Sequence, residues 1–453
     1  MHFTRHQIII ALLVFGTALT ACVPPAARRG TQGVEAALAT RGDTRFAGIR
    51  LDSAPPQSAD IPTGALAVDS AARLALVRSP HVRAILADVG IAAADLWQAS
   101  RLPNPTIEGS YGFRQGGGTA LSGIGVGFSV VSALQIPLKK RIAASELRGA
   151  EQRVADAVYG TVLDVQRAYV AVQHAQQMVE LRQTVAQVTA ASAGVARALR
   201  DAGNLPALNV AAEEAMAAES VTGIASADAE LASARAELGR LMGAGVSDTA
   251  WSIGQLLENP TREMWPLSIM DSLALSRRMD IASAREGAEA AAQAVGLSRQ
   301  FRFLPDGTIG VGFERDPDGQ FFGPTAAITL PLFDQGGAAI ARARSVLSQR
   351  VASHDALVVN AHAEVRSALA RMETAQRRTT QILTVVLPAR RRVVTESQLQ
   401  ANAMALPVFA LLQARQMEID AGQMYLDALR DYWFARAELE RATGGPLPTP
   451  STP

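Results

Sequence analysis

One pattern occurs twice in this chain, and that constrains its fold more than any other feature. Leu102-Pro103-Asn104-Pro105-Thr106-Ile107-Glu108-Gly109-Ser110-Tyr111-Gly112-Phe113-Arg114 returns, loosely, as Phe303-Leu304-Pro305-Asp306-Gly307-Thr308-Ile309-Gly310-Val311-Gly312-Phe313-Glu314. Each copy sits between long alanine-rich helical stretches. Each is followed by a second glycine-punctuated strand, expected to end in Ile136-Pro137-Leu138 or Leu330-Pro331-Leu332. A chain duplicated in this way has to place two equivalent hairpins and two equivalent sets of helices.

The hairpins alternate with the period of a strand that has different surroundings on its two sides. In the first, Ile107, Gly109, Tyr111 and Phe113 share one face, opposite Thr106, Glu108, Ser110 and Arg114. The next strand sets Ile124, Val126, Phe128 and Val130 against Gly125, Gly127 and Ser129. The second copy sets Ile309, Val311 and Phe313 against Thr308, Gly310 and Glu314, then Ala326, Ile328 and Leu330 against Thr325 and Thr329. The apolar set reads as lipid-facing if the strands line a membrane barrel. Taken alone, the alternation equally fits an amphipathic hairpin on a soluble core. No apolar stretch beyond the amino terminus approaches the roughly 20 residues of a spanning helix, so a bilayer crossing would need a closed barrel. Four strands are too few to close, since the smallest membrane barrels have about eight. A barrel would therefore be shared between protomers.

After each hairpin comes a long helical stretch. Val154, Val158, Val162, Val165, Tyr169 and Val172 step by fours and threes, and Val351, Val358, Val365 and Met372 recur every seven residues, as coiled-coil seams do. If Leu138 to Arg200 is helical, it is roughly 90 Å long at 1.5 Å per residue. Shorter helices in a compact bundle are the alternative. Ala202-Gly203-Asn204-Leu205 with Pro206, and Ala403-Met404-Ala405-Leu406 with Pro407, read as helix-to-helix turns at equivalent points. They are small and apolar where a merely solvated loop is more often charged.

The chain thus divides into a leader (1–21), an extended lead segment (22–62), a first repeat (63–243), a connector (244–266), a second repeat (267–443) and a disordered tail (444–453). Arg5 and His6 precede an apolar run from Ile8 to Leu19, the pattern of a signal peptide. Leu19-Thr20-Ala21-Cys22 resembles a bacterial lipobox, which makes Cys22, the only cysteine in 453 residues, the expected lipidation site and leaves none for a disulfide or thiolate metal site. An ordinary signal peptide with an incidental cysteine is the alternative. The 43 basic and 42 acidic residues nearly cancel, so nothing points to nucleic acid.

In order, duplication and lipobox together, these motifs resemble the TolC-like outer-membrane efflux proteins, and within them the CzcC-like lipoprotein branch. The motifs that carry the resemblance are Leu102-Pro103-Asn104-Pro105, Pro137-Leu138-Lys139-Lys140-Arg141 and above all Leu330-Pro331-Leu332-Phe333-Asp334-Gln335-Gly336-Gly337. The resemblance implies a mainly α fold with a membrane β-barrel portion: a homotrimer whose protomers give four strands each to one 12-stranded barrel, continued by a periplasmic α-helical coiled-coil barrel. It implies an outer-membrane location with a lipid anchor, and docking of the two turns onto a periplasmic membrane-fusion adaptor and an inner-membrane pump of the RND type. It also implies passive export, with heavy-metal cations among the substrates. An outer component of a type I secretion system, or a lipid-anchored helical adaptor, would use similar parts. The stretch Pro407-Val408-Phe409-Ala410-Leu411-Leu412-Gln413 lacks the aspartates that ring the aperture in such channels, so no gate residue carries over.

Catalytic chemistry is not expected. His81, His174, His354 and His362 are scattered, and His354 and His362, two turns apart, lack a nearby carboxylate and cysteine to complete a metal site. Glu213 and Glu214 diverge by about 100° on a helix and make a poor acid–base pair. No cofactor is implied.

Overall fold

Runs of alanine, leucine and arginine with few breakers propagate helix, and helix dominates the computed structural model, which describes residues 26–41, 43, 46, 50–51, 64–112, 121–245, 250–260, 265–316 and 319–448. After α1 (Ala26–Ala39) and a short β1 (Gly64–Ala65), the first repeat runs α2 (Val68–Arg78), α3 (Pro80–Ala99), β2 (Thr106–Gly112), β3 (Leu121–Ser129), α4 (Val130–Asp201) and α5 (Ala207–Met242). A short β4 (Trp251–Ser252) follows. The second repeat runs α6 (Leu267–Arg277), α7 (Met279–Gln300), β5 (Gly307–Asp316), β6 (Gly319–Ile328), α8 (Gly337–Gln381), a π-helical turn (Ile382–Val386), α9 (Leu387–Asn402) and α10 (Val408–Thr443).

The duplication holds at the level of single elements. Helices α2 and α6 are each 11 residues long, and α5 and α10 each 36, with Pro206 and Pro407 before their first turns. Both 36-residue helices end in a left-handed glycine, Gly243 at φ 70° and Gly444 at φ 71°. A Cβ at Gly243 would lie 2.9 Å from the Arg78 carbonyl, and one at Gly444 2.9 Å from the Arg278 nitrogen, so both sites exclude a side chain by conformation and by contact.

Two units result. The first comprises Met1–Val34, Ala87–Glu151 and Glu289–Leu347, and the second Glu35–Leu86, Gln152–Ala288 and Ser348–Pro453. In the first unit β2, β3, β5 and β6 form one antiparallel sheet in that order, so the two hairpins join through β3 and β5. In the second, Trp265, Met270, Val365, Leu369, Met372, Tyr432 and Leu439 form one buried core cluster.

Of the seam in the first repeat, Val154, Val158, Val162, Val165, Tyr169 and Val172 are all buried. In the second, Val365 and Met372 are buried but Val351 is 44% exposed. Helix α8 widens into the π turn just before Pro388, where the Leu387 N–H reaches back five residues to the Ile382 carbonyl. Proline has no N–H to continue the ladder, and a local π turn absorbs the break.

Three expectations need correction. The second strand of the first hairpin stops at Ser129, and Ile136-Pro137-Leu138 lies inside α4. The Ser129 hydroxyl accepts the Ser132 N–H at 3.3 Å and starts the helix. In the second copy the strand stops at Ile328, with a loop before α8. The lead segment is not extended throughout, because Val34, Ala37 and Leu38 give α1 a buried face. Of the tail, residues 444–448 are described and held in place: the Arg277 Nη1 donates to the Pro446 carbonyl, and the Trp265 indole donates to the Pro448 carbonyl, both at 3.1 Å.

Candidate functional site

The sheet presents two chemically opposed faces. Register puts Ile107, Val126, Val311 and Pro324 in one transverse row, and Gly109, Ile124, Phe313 and Phe322 in the next. Phe128, Ile309 and Ala326 form a third. Ile107, Tyr111, Ile124, Val126, Ile309, Val311, Phe313 and Ile328 are all exposed, and Phe128 is half-buried. A solvated sheet would not leave so many large apolar side chains uncovered. Leu330, also exposed, lies beyond the end of β6, and Phe113 falls outside the described residues.

Two wall residues escaped the sequence reading, Phe322 and Pro324, because Pro324 reads as a strand breaker. It is tolerated here because β6 is an edge strand of the protomer. The alternation of Phe322, Pro324, Ala326 and Ile328 was the available signal.

The other face carries Thr106, Ser110, Thr308 and Thr325 among Gly123, Gly125, Gly127, Gly310 and Gly312, with carboxylates from Glu108 and Glu314 and, opposite Glu314, the exposed Phe321. A Cβ built at Gly310 would fall 2.4 Å from the Val126 carbonyl oxygen, and one at Gly123 would fall 2.6 Å from Ser110 Oγ. A Cβ at Gly109, on the apolar face, meets nothing within 4 Å. The crowding is local: at Gly310 the obstacle is the backbone of β3, whereas a Cβ at Gly323, on the same face, meets nothing within 4 Å. The base is pinned by Asp306, whose carboxylate accepts the Gly307 N–H at 2.8 Å and the Ser129 hydroxyl at 3.3 Å.

The two helical turns share one hydrogen-bond pattern. The Gly203 N–H donates to the Arg200 carbonyl at 2.7 Å and the Asn204 N–H to Leu199 at 2.8 Å. In the second turn Met404 donates to Ala401 at 3.0 Å and Ala405 to Gln400 at 2.9 Å. Both are Schellman closures, which require a left-handed residue. Gly203 supplies it at φ 77°, but the second turn uses Met404 at φ 58°, the one non-glycine residue with positive φ among those described. A left-handed L-residue costs roughly 1–2 kcal/mol, and the Met404 side chain is 95% exposed, with no burial to offset that cost. Ala202, Asn204, Ala403 and Ala405 are exposed, whereas Leu205 and Leu406 are half-buried within their turns. Cys22 lies outside the described residues.

In the helical unit, polar groups tie the two repeats together. The His174 side chain on α4 is 4% exposed, and its Nε2 lies 2.9 Å from Asp427 Oδ1 on α10. Burial, reinforced by Arg430, lowers its pKa below the usual imidazole value, against the pull of Asp427 and Glu230. Arg278 donates to Asp280 at 2.6 Å and to Glu364, beside a polar cavity of about 170 Å³. Burial alone would raise the Asp280 pKa, but bonds from Arg278 and the Ile281 N–H outweigh it and hold the carboxyl below its ordinary value. Burial lowers the Arg41 pKa to about 10, and its Nη1 caps α10 by donating to the Gly444 carbonyl. Among the described residues no group of three or more His, Cys, Asp and Glu side chains is placed to hold a metal ion.

No protein-family model and no curated protein matches the sequence. Solved structures do match the fold. The chain is similar to the Campylobacter jejuni CmeC outer-membrane channel, with TM-score 0.71 at 16% identity over 83% of this chain and 85% of that one. It is similar to the open state of the Neisseria gonorrhoeae MtrE outer-membrane channel, with TM-score 0.70 at 18% identity over 87% and 96%. For CusC, studied for the conformational changes that accompany folding and transmembrane channel formation, the values are 0.69 and 18% over 83% and 92%. At such identities the likeness establishes the fold alone, and this chain's own mainly helical structure with one four-stranded sheet agrees with the fold that the resemblance read from the sequence implied.

Proposed function

We propose that this chain, with its channel fold and a sheet that cannot close on itself, is the outer-membrane duct of a tripartite efflux system. The observation that carries this reading is the four-stranded sheet, with β2 and β6 as open edges and a face that is apolar over three successive rows. In hydrocarbon each unpaired edge group costs several kcal/mol, so the edges must find partners. Three copies joined edge to edge make a 12-stranded barrel, with the apolar face toward lipid and the glycine face, bearing Glu108 and Glu314, lining the lumen. The long helices continue the duct into the periplasm. The turns at Gly203 and Met404 face the adaptor, which links the duct to an energised inner-membrane pump. Cys22 carries the lipid anchor. Transport through the duct itself is passive, and selection belongs to the pump.

The test is oligomeric state and insertion. In detergent the wild type should run at three times the mass of the mature chain, which starts at Cys22 and is lighter than the 47.7 kDa of the full sequence. Val126→Arg and Val311→Arg, on the lipid face, should each cost roughly 2–4 kcal/mol per protomer and reduce insertion. A soluble monomer obtained without detergent from a chain lacking residues 1–22 would overturn the reading.

A further inference from the structure

The apolar surface continues past the strand ends. Leu102 before β2, Phe303 and Leu304 before β5, and Leu332 and Phe333 after β6 are all exposed. Cations lie among them. The Arg101 guanidinium sits over the Trp97 ring, 4.3 Å from its centroid, and Arg302 sits over Phe303 at 4.4 Å. Each repeat thus stacks an arginine on an aromatic ring immediately before its Leu-Pro lead-in; the order of the two residues differs, but the pairing is the same. Helix α4 adds Lys139-Lys140-Arg141, which includes both lysines of a chain whose other 41 basic residues are arginines. Two acids near the strand ends are engaged internally. Asp306 accepts from Gly307 and Ser129, and Asp334 accepts from the Gly336 N–H at 2.9 Å.

Depth gives this collar a setting. Arg101 and Arg302 each precede the first residue of their strand by five positions, at most about 17 Å of extended chain. Lys139, the tenth residue of α4, is about 15 Å along its helix. The headgroup layer is about 5–8 Å thick on each side of the hydrocarbon, and an exposed charge acts over roughly 8 Å beyond that. If the strands fill the hydrocarbon, the collar meets the phosphates of the periplasmic leaflet. There aromatic rings anchor at the interface and arginine pairs with phosphate oxygens. Arg302 commits its Nε to the Gln335 carbonyl at 3.3 Å, which holds the side chain in place.

We propose that this collar binds anionic phospholipid headgroups, with Arg101 and Arg302 as the direct contacts of the two repeats and Lys139 to Arg141 supplying additional field. The proposal rests on the barrel reading above. The two fail separately: a soluble monomer defeats the barrel, and an inserted trimer indifferent to lipid charge defeats only the collar.

The experiment uses the full-length protein in nanodiscs of phosphatidylethanolamine with and without 30% phosphatidylglycerol, and counts phosphatidylglycerol retained after transfer to detergent by native mass spectrometry. Wild type should retain it preferentially, and the preference should fall as salt rises from 50 to 500 mM. Each surface cation contributes about a fivefold factor, so Arg101→Gln or Arg302→Gln should lose about fivefold and the double variant about 25-fold, while Arg197→Gln, far along α4, should leave retention unchanged. Arg101→Lys and Arg302→Lys keep the charge and should keep most of the preference, which decides the matter if the glutamine variants assemble poorly. Displacement by 10 mM inorganic phosphate would show a free-anion site instead and overturn the proposal. So would a preference unmoved by salt, or equal retention by wild type and the double variant.

Discussion

Gly310→Ala should break the sheet where the two repeats meet. Gly310 pairs with Gly127 across β3 and β5, and a Cβ there would lie 2.4 Å from the Val126 carbonyl oxygen, 2.9 Å from Thr325 Oγ1 and 3.0 Å from the Gly127 Cα. The threonine hydroxyl can rotate away. The carbonyl and the Cα are backbone, and relieving the contact means displacing β3 by most of an ångström along a ladder of eight paired residues. Overpacking typically costs 1–3 kcal/mol, and with backbone as the obstacle we expect about 2–3 kcal/mol per protomer. That is roughly a 30- to 150-fold loss for each copy in the assembly equilibrium, incurred three times in a trimer. The assay is the yield of heat-resistant trimer in outer-membrane fractions on semi-native gels. Gly109→Ala and Gly323→Ala are the controls, because a Cβ at either meets nothing within 4 Å; they should assemble as wild type. Normal trimer from Gly310→Ala, or equal loss from Gly109→Ala or Gly323→Ala, would refute the argument that the β3 backbone leaves no room for a side chain at Gly310.

Other expectations follow from the same structure. His174 has a lowered folded-state pKa, so the unfolded chain binds its proton more tightly, and stability should decline as pH falls below 6.5; His174→Gln should flatten that dependence in melts between pH 7.5 and 5. Labelled palmitate should enter the wild type and not Cys22→Ser, and equal labelling would exclude lipidation at that residue. Met404→Gly should stabilise its turn slightly, because relief of the left-handed strain exceeds the added entropy of the unfolded chain. If the exposed side chain contacts the adaptor, export and adaptor cross-linking should nevertheless fall, and unchanged export with normal trimer levels would assign Met404 no role in docking.

What depends on neighbours along the chain is legible in the residues alone: the duplication, the two-residue alternation of the strands, the valine seam of α4 and the interrupted turns at Gly203 and Met404. These signals are local, because a helix turn or a strand face repeats within a few residues. The tertiary structure decided what depends on residues far apart. Pairing of β3 with β5, about 190 residues apart, merges two hairpins into one sheet and makes Gly310 sterically obligatory. Only a partner 253 residues away turns His174 from a scattered histidine into a buried link to Asp427. The tail and α1 carry no periodicity strong enough to announce order, and they are held by Trp265, Arg277 and the faces that Val34 and Leu38 bury. Propensity alone would keep Pro137 out of a helix, but Ser129 had already started one, and the remaining residues of α4 outweigh one missing hydrogen bond. Local pattern fixes which elements form, while contact between distant elements fixes where they end, how they pair and which side chains can fit between them.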